Sequence, residues 1–251
     1  MLHSRPRGWI RGMPRNACWK CPIRDVALCR ALPESALAQL SRMTWHRSVR
    51  AGCRIFGPGE EPLVVANIVS GVVRLSRSLG DGRTQIVGLQ FAPEFIGRPF
   101  AESGSILAEA ATDVELCCFS KPQFEGLLQS YPGLHELLTQ RMIHDLDQAR
   151  EWMLLLGRKT ALERVATLIL LCAERLGAQG DSAKSEASED NLSFQLPLSR
   201  TEMAEFLGLT LETVSRMLRK LAEAGVIAIE RGRGITIRDG GKLRMMAEMT
   251  L

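Results

Sequence analysis

The chain has 251 residues, 45% of them hydrophobic, which supports two ordinary domains with real cores and excludes a small disulfide-stapled or disordered chain. Its formal charge of +4 does not by itself demand nucleic acid. Seven cysteines cannot pair completely within one chain, no N-terminal stretch resembles a signal peptide, and no run approaches the roughly 18 apolar residues of a membrane span, so a soluble, cytoplasmic protein without membrane contact is expected. Residues 1–30 concentrate seven Lys/Arg against the single acid Asp25, and carry Cys18, Cys21 and Cys29. A short helix follows at 31–45, with Leu32, Leu37, Leu40 and Met43 as its apolar contacts. From Val49 to Phe124 the signals are those of strands: the turn Gly57-Pro58-Gly59, the apolar runs Leu63–Ile68 and Val72–Leu79, the hairpin turn Asp81-Gly82, then Thr84–Leu89. Repeated short strands of this kind predict an antiparallel barrel or jelly roll.

Residues 134–156 form an unbroken helix pattern ended by Gly157. Met142, Leu146, Ala149, Met153 and Leu156 recur at spacings of 4, 3, 4 and 3, the seam of a two-helix coiled coil, so this helix is expected to make a homodimer. Packing against its own barrel is the plainer alternative, but the consecutive Trp152–Leu156 is broader than one domain can cover. A second helix at Ala161–Leu176 turns Leu162, Val165, Ile169, Cys172 and Leu176 inward, so Cys172 is expected as a core thiol. The polar stretch 177–191 is expected as an exposed loop.

Ser199 with Glu202 is a capping box opening the helix Arg200–Leu207, and Gly208-Leu209 makes a tight turn. Thr210 caps a second helix, Leu211–Ala224, with Leu211, Val214, Leu218 and Leu221 inward, and Gly225 stops it. Val226–Glu230 and Gly234–Arg238 form a hairpin across Arg231-Gly232-Arg233. The combination predicts a winged helix-turn-helix that reads double-stranded DNA. Glu212, Thr213, Ser215, Arg216 and Arg219 face outward: Arg216 can pair with a guanine edge, Glu212 can accept from a cytosine amino group, and Ser215 can bond a base or phosphate. Thr201, Thr210, Thr213, Arg219, Lys220, Arg231 and Arg233 suit backbone or flanking contacts. Residues 199–251 carry nine basic and seven acidic side chains, so specific sites and two subunits matter more than bulk charge.

Three thiols among arginines are not an ordinary core, and Cys18, Cys21 and Cys29 can ligate one centre if a fourth residue closes it. Cys117 and Cys118 are adjacent on a strand and point to opposite faces, so one of them can do so easily. The spacing suits structural zinc as well as an iron–sulfur cubane. Lys20, Arg24 and Arg30 are expected to lower the thiol pKa values, and Cys53 is expected in the core. Residues 49–124 contain no histidine, so a cupin-type catalytic metal site has no ligands and an enzyme is not expected.

Three segments, NACWKCPIRDVALC (16–29), MLLLGRKTALERVATLIL (153–170) and LSRTEMAEFLGLTLETVSRMLRKLAEAGVI (198–227), make the chain resemble the CRP/FNR superfamily of bacterial transcription regulators, specifically its FNR-type oxygen sensors of the alphaproteobacterial kind. The resemblance covers essentially the whole chain. It implies an α+β architecture: a cysteine-rich cluster-binding segment at 1–30, a cupin-like sensory β-barrel or jelly roll at 31–133, a long dimerisation helix at 134–157, and a winged helix-turn-helix domain at 158–251. It implies an oxygen-labile [4Fe-4S] cluster on Cys18, Cys21, Cys29 and Cys117, with Cys118, one register away, as the alternative fourth ligand. It also implies Glu212, Ser215 and Arg216 as the base-reading trio for half-sites of the TTGAT type, and RNA polymerase as partner. Glu151 falls where enteric members carry an acid that disfavours dimerisation; with Asp145 and Asp147 it is expected to repel across the seam until the cluster orders the N-terminal segment. PEFIG (93–97) resembles the nucleotide-binding stretch of the cAMP receptors, yet Ile106, Leu107 and Ala108 stand where an Arg-Ser pair is expected, so no cyclic nucleotide is expected. A regulator with structural zinc or thiol-based redox sensing is the alternative.

Overall fold

In the computed structural model residues 17–61, 63–177 and 191–248 are described, so the expected loop at 177–191 lies, apart from its ends, outside them. Two short 3-10 turns, Ala17–Lys20 and Leu28–Ala31, lead into α1 (Glu34–Met43). Eight strands follow: β1 (Thr44–Val49), β2 (Arg54–Phe56), β3 (Val64–Ser70), β4 (Val72–Ser78), β5 (Thr84–Phe91), β6 (Phe95–Ile96), β7 (Leu107–Ala110) and β8 (Val114–Ser120). They form two four-stranded sheets, ordered β1-β8-β3-β6 and β2-β7-β4-β5. This is the expected jelly-roll-like antiparallel sandwich.

The sandwich is organised by the two-residue period of its strands. On β3 and β8 the residues Ala66, Ile68, Leu116 and Cys118 point inward and meet Val73, Ala108 and Ala110 of the other sheet. The alternate residues Val65, Cys117 and Phe119 point outward. That outer face is covered by Leu28 and Leu32 of the cysteine segment, by Leu37 and Leu40 of α1, by Phe124 and Leu127 of α2 (Lys121–Ser130), and by Leu134 and Leu138 of α3 (Pro132–Arg158). Removing one such leucine side chain costs about 2–5 kcal/mol.

Strand β1 begins five residues before the expected start at Val49, and it carries His46, so the sandwich does contain one histidine. The helix expected at 134–156 runs over Pro132–Arg158. Proline is tolerated in a first turn, where its missing N–H leaves no bond unmade, and Gly157 is passed because the real stop comes after it. The chain divides into two compact units, Met1–Arg77 with Val87–Leu146, and Ser78–Ile86 with Asp147–Leu251, so the division falls inside α3.

In the second unit α4 (Ala161–Gly177), α5 (Arg200–Leu207), α6 (Leu211–Glu223) and α7 (Gly240–Glu248) pack with a three-stranded sheet ordered β10-β11-β9 (Ile227–Ile229, Gly234–Ile237, Ser193–Gln195). The wing hairpin is as expected; β9 and α7 were not foreseen. Ser199 and Glu202 make both bonds of the capping box, and Gly208 caps α5 at φ 61°. Leu211 is 42% exposed rather than inward, because it opens α6 where no preceding turn covers it; Met217 takes its place in the buried face with Val214, Leu218 and Leu221. Cys172 is completely buried, as expected, whereas Cys53 is exposed on the turn before β2 and is no core residue.

Candidate functional site

The antiparallel register decides which of the two barrel thiols meets the N-terminal segment. Cys117 pairs with His46 on β1 and Asn67 on β3, while Cys118 pairs with Trp45 and Ala66. Directly opposed residues share a face, so Cys117, His46 and Asn67 lie together on the outer face. Cys18 and Cys29 pack against the same cluster of side chains that contains Cys117. The Cys117 thiol is pushed far up by burial and, after that, by Cys18, Cys21, Cys118 and Cys29. Cys118 is pushed up to about 12 by burial, opposed by Arg47, and lines the interior of the sandwich instead.

Burial also raises Cys21 and lifts Cys29 to about 11, with Arg24 only a minor opposing influence on Cys29. The expectation that neighbouring basic residues lower these pKa values is therefore wrong: removing a half-buried thiolate from water outweighs a partly solvated guanidinium. A cation bound there would have to displace these thiol protons. All seven cysteines are free. Among the described residues no group of three or more His, Cys, Asp or Glu side chains is arranged to hold a metal ion. The side chain of Asn67, 2% exposed beside Cys117, leaves its Oδ1 without a hydrogen-bond partner among the described residues. Cys18, Cys21 and Cys29 all act on the Cys117 thiol, a four-sulfur donor set of the kind an iron–sulfur centre would use.

Beside this face, α3 presents an apolar stripe. Met142 and Ile143, then Leu146, are at least half exposed, as are Met153 and Leu154 further along; Ala149 and Glu151 are exposed too. Leu156, expected on the same seam, is half-buried instead and lies against Gly208 of the reader. Trp152 stacks edge-on against Phe206, centroids 4.5 Å apart, and Leu155 is buried. Asp145 lies 3.7 Å from Arg141 and Asp147 is 2.9 Å from Arg150 on the same helix, which reduces the repulsion expected of these acids.

The end of α3 is fixed to the reader by one side chain. The Arg164 guanidinium donates to the carbonyls of Leu156 (2.7 Å), Lys159 (2.9 Å) and Leu207 (2.9 Å), which two helix C-termini and their linker leave open. On α6, Glu212, Arg216, Arg219 and Lys220 are exposed, with Thr213 and Ser215 half-buried. Thr210 accepts the Thr213 backbone N–H at 3.2 Å as helix cap. Glu212 is held below the usual carboxylate range by its own backbone N–H and then by the Thr210 hydroxyl. Thr201 and Arg231 are exposed as expected, but Arg233 is engaged within the unit: it donates to Pro197 O at 3.0 Å and approaches Glu202 at 3.9 Å, bracing the wing on α5.

The sandwich also encloses a cavity of about 660 Å³ lined by Val49, Phe56, Ile96, Leu116 and Cys118. Ile106 stands there in place of the expected Arg-Ser pair, but Arg47, Arg50, Arg54 and Arg98 line the cavity as well. Three of them hold partners of the chain itself: Arg47 the Ile55 and Arg54 carbonyls, Arg54 the Glu60 carboxylate, and Arg98 the Ser103 carbonyl.

Residues 163–246 match the family described as the Crp-like helix-turn-helix domain, and residues 46–131 match the cyclic nucleotide-binding domain. A probable transcriptional activator of Rhizobium leguminosarum bv. viciae is 45% identical over 92% of this chain and 92% of its own. The transcriptional activator protein FnrL of Cereibacter sphaeroides is 41% identical over 91% and 90%. The structure of FixK2 from Bradyrhizobium japonicum superposes with a TM-score of 0.72 at 30% identity, covering 83% of this chain and 99% of that one. No helix among the described residues is long and apolar enough to cross a membrane. With a sandwich, a long helix and a capped, winged reader in one chain, and relatives of this closeness along nearly its whole length, the protein belongs to the CRP/FNR family of DNA-binding transcription regulators and is not an enzyme.

Proposed function

We propose that this protein is an oxygen-responsive transcription activator that binds TTGAT-type palindromic operators as a homodimer and holds a [4Fe-4S] cluster on Cys18, Cys21, Cys29 and Cys117. The observation that carries this reading is the convergence of the Cys117 thiol, and not that of Cys118, with the N-terminal trio. Bound there, such a centre supplies iron and sulfide chemistry that oxygen destroys. The chain's own residues do the rest. Leu28 and Leu32, beside Cys29, pack in one cluster with Leu134 and Leu138 at the start of α3. Order in the cysteine segment is thereby order at the helix whose exposed Met142, Leu146 and Met153 suit a second copy.

On the operator, Glu212, Ser215 and Arg216 read base edges of one half-site per subunit, while Thr201, Arg219, Lys220 and Arg231 hold phosphates. RNA polymerase is the partner at the promoter. No cyclic nucleotide controls the protein: Ile106, Leu107 and Ala108 offer no phosphate donor, and three of the cavity's arginines are engaged by the chain. Purification without oxygen tests the reading. The expected product is brown, carries roughly four irons and four sulfides per chain, and loses colour and operator affinity together in air. A colourless zinc protein whose operator affinity ignores oxygen contradicts it.

A further inference from the structure

The side chain of Asn67 is a polar group in the middle of a largely apolar outer face. On β3 the residues Val65, Asn67 and Val69 point outward, and their neighbours on that face are Phe95 of β6, Cys117 and Phe119 of β8, and Phe124 of α2. A buried amide there costs stability unless its donors and acceptor are met. Its Oδ1 meets none among the described residues. A valine or leucine would suit the strand and the core better on every local criterion. The amide also stands directly opposite Cys117, with side chains of opposed residues about 5 Å apart at their Cβ atoms.

We infer that the Asn67 amide donates an N–H hydrogen bond to sulfur of the centre held by Cys117 and its three partners, and so sets how readily oxygen destroys that centre. The inference rests on the cluster reading above. A half-turn about the last torsion exchanges the amide's oxygen and nitrogen ends, so the side chain can present either to a neighbour. Thiolate and sulfide carry the negative charge of such a centre, and hydrogen bonds to the sulfurs are among the factors that set its potential. A donor that draws electron density from sulfur makes the centre harder to oxidise. The sulfurs only accept, so the loaded centre gives the amide's N–H a charged partner and leaves the unmet oxygen as it is in the cluster-free chain.

The test compares Asn67→Leu, which has the same branched heavy-atom skeleton and no donor, with the parent chain in both states. Without iron, Asn67→Leu is expected to melt at or above the parent temperature. Loaded anaerobically to the same iron and sulfide content, it is expected to bleach in air about tenfold faster, the loss of one hydrogen bond to a charged acceptor. Asn67→Ser, which keeps a donor on a shorter side chain, is expected to fall between the two. If Asn67→Leu fails to load while Asn67→Ser loads, the requirement for a donor stands. If both load and bleach at the parental rate, Asn67 is only a buried amide and the inference is overturned alone. A parent chain that takes up neither iron nor sulfide overturns the cluster reading together with it.

Discussion

The cysteine face of the sandwich and the DNA reader differ in whether the chain satisfies itself. In the reader nearly every demanding group is met locally: Ser199 and Glu202 cap each other's backbone, Gly208 supplies the left-handed turn, and Arg164 closes two helix-end carbonyls and one of a linker. On the cysteine face burial raises the pKa values of Cys21, Cys29 and Cys117, and the neighbouring amide oxygen has no partner among the described residues. The reader is complete in itself, whereas under the proposed function the cysteine face is completed by the cluster. A regulator needs that asymmetry, because the signal can act only where the fold leaves its own chemistry open.

The comparison predicts that damage to the reader leaves the cysteine site alone. Replacing Arg216 by Ala should lower preference for the operator over mismatched DNA by about ten- to a hundredfold, measured by competitive gel shift. Iron and sulfide content should not change; a parallel loss of iron breaks the separation of the two regions. Arg164→Lys keeps the charge but not the planar fork, and should destabilise the reader by about 1–3 kcal/mol in chemical unfolding. Glu202→Ala removes one arm of the capping box and one contact of Arg233, with an expected cost of about 0.5–2 kcal/mol.

The smallest effect at neutral pH belongs to Cys172, held at about 12 by complete burial. The unfolded chain loses this thiol proton near pH 9 and the folded chain keeps it, so the unfolded state gains as pH rises. Stability is intact below pH 9 and falls by about 1.4 kcal/mol per pH unit from there toward 12. Cys172→Ala should flatten that part of the urea-unfolding profile. An unchanged slope shows that Cys172 is not the titrating group.

Much of the reader was legible because its signals are local in sequence: α5 and its cap stand where the sequence placed them. β9 was missed because three residues of Ser-Phe-Gln carry too little alternation, and α7 because two glycines, poor helix formers, follow its cap Asp239. The four-thiol site is not local. Adjacency of Cys117 and Cys118 shows only that they face opposite ways; which one faces the N-terminal segment depends on the register of β8 against β1 and β3. Likewise the role of Asn67 is invisible in a run that reads as an ordinary apolar strand. Leu156 looked like part of a dimer seam because its spacing is right, but tertiary packing turns it toward Gly208.

The most direct test of the account is iron and sulfide analysis of Cys117→Ala and Cys118→Ala, each purified without oxygen and each assayed for operator binding before and after exposure to air. Cys117→Ala should hold no stable cluster and bind the operator weakly in both conditions, while Cys118→Ala should retain roughly four irons and the parental response to air. Retention of the cluster by Cys117→Ala with its loss from Cys118→Ala contradicts the account.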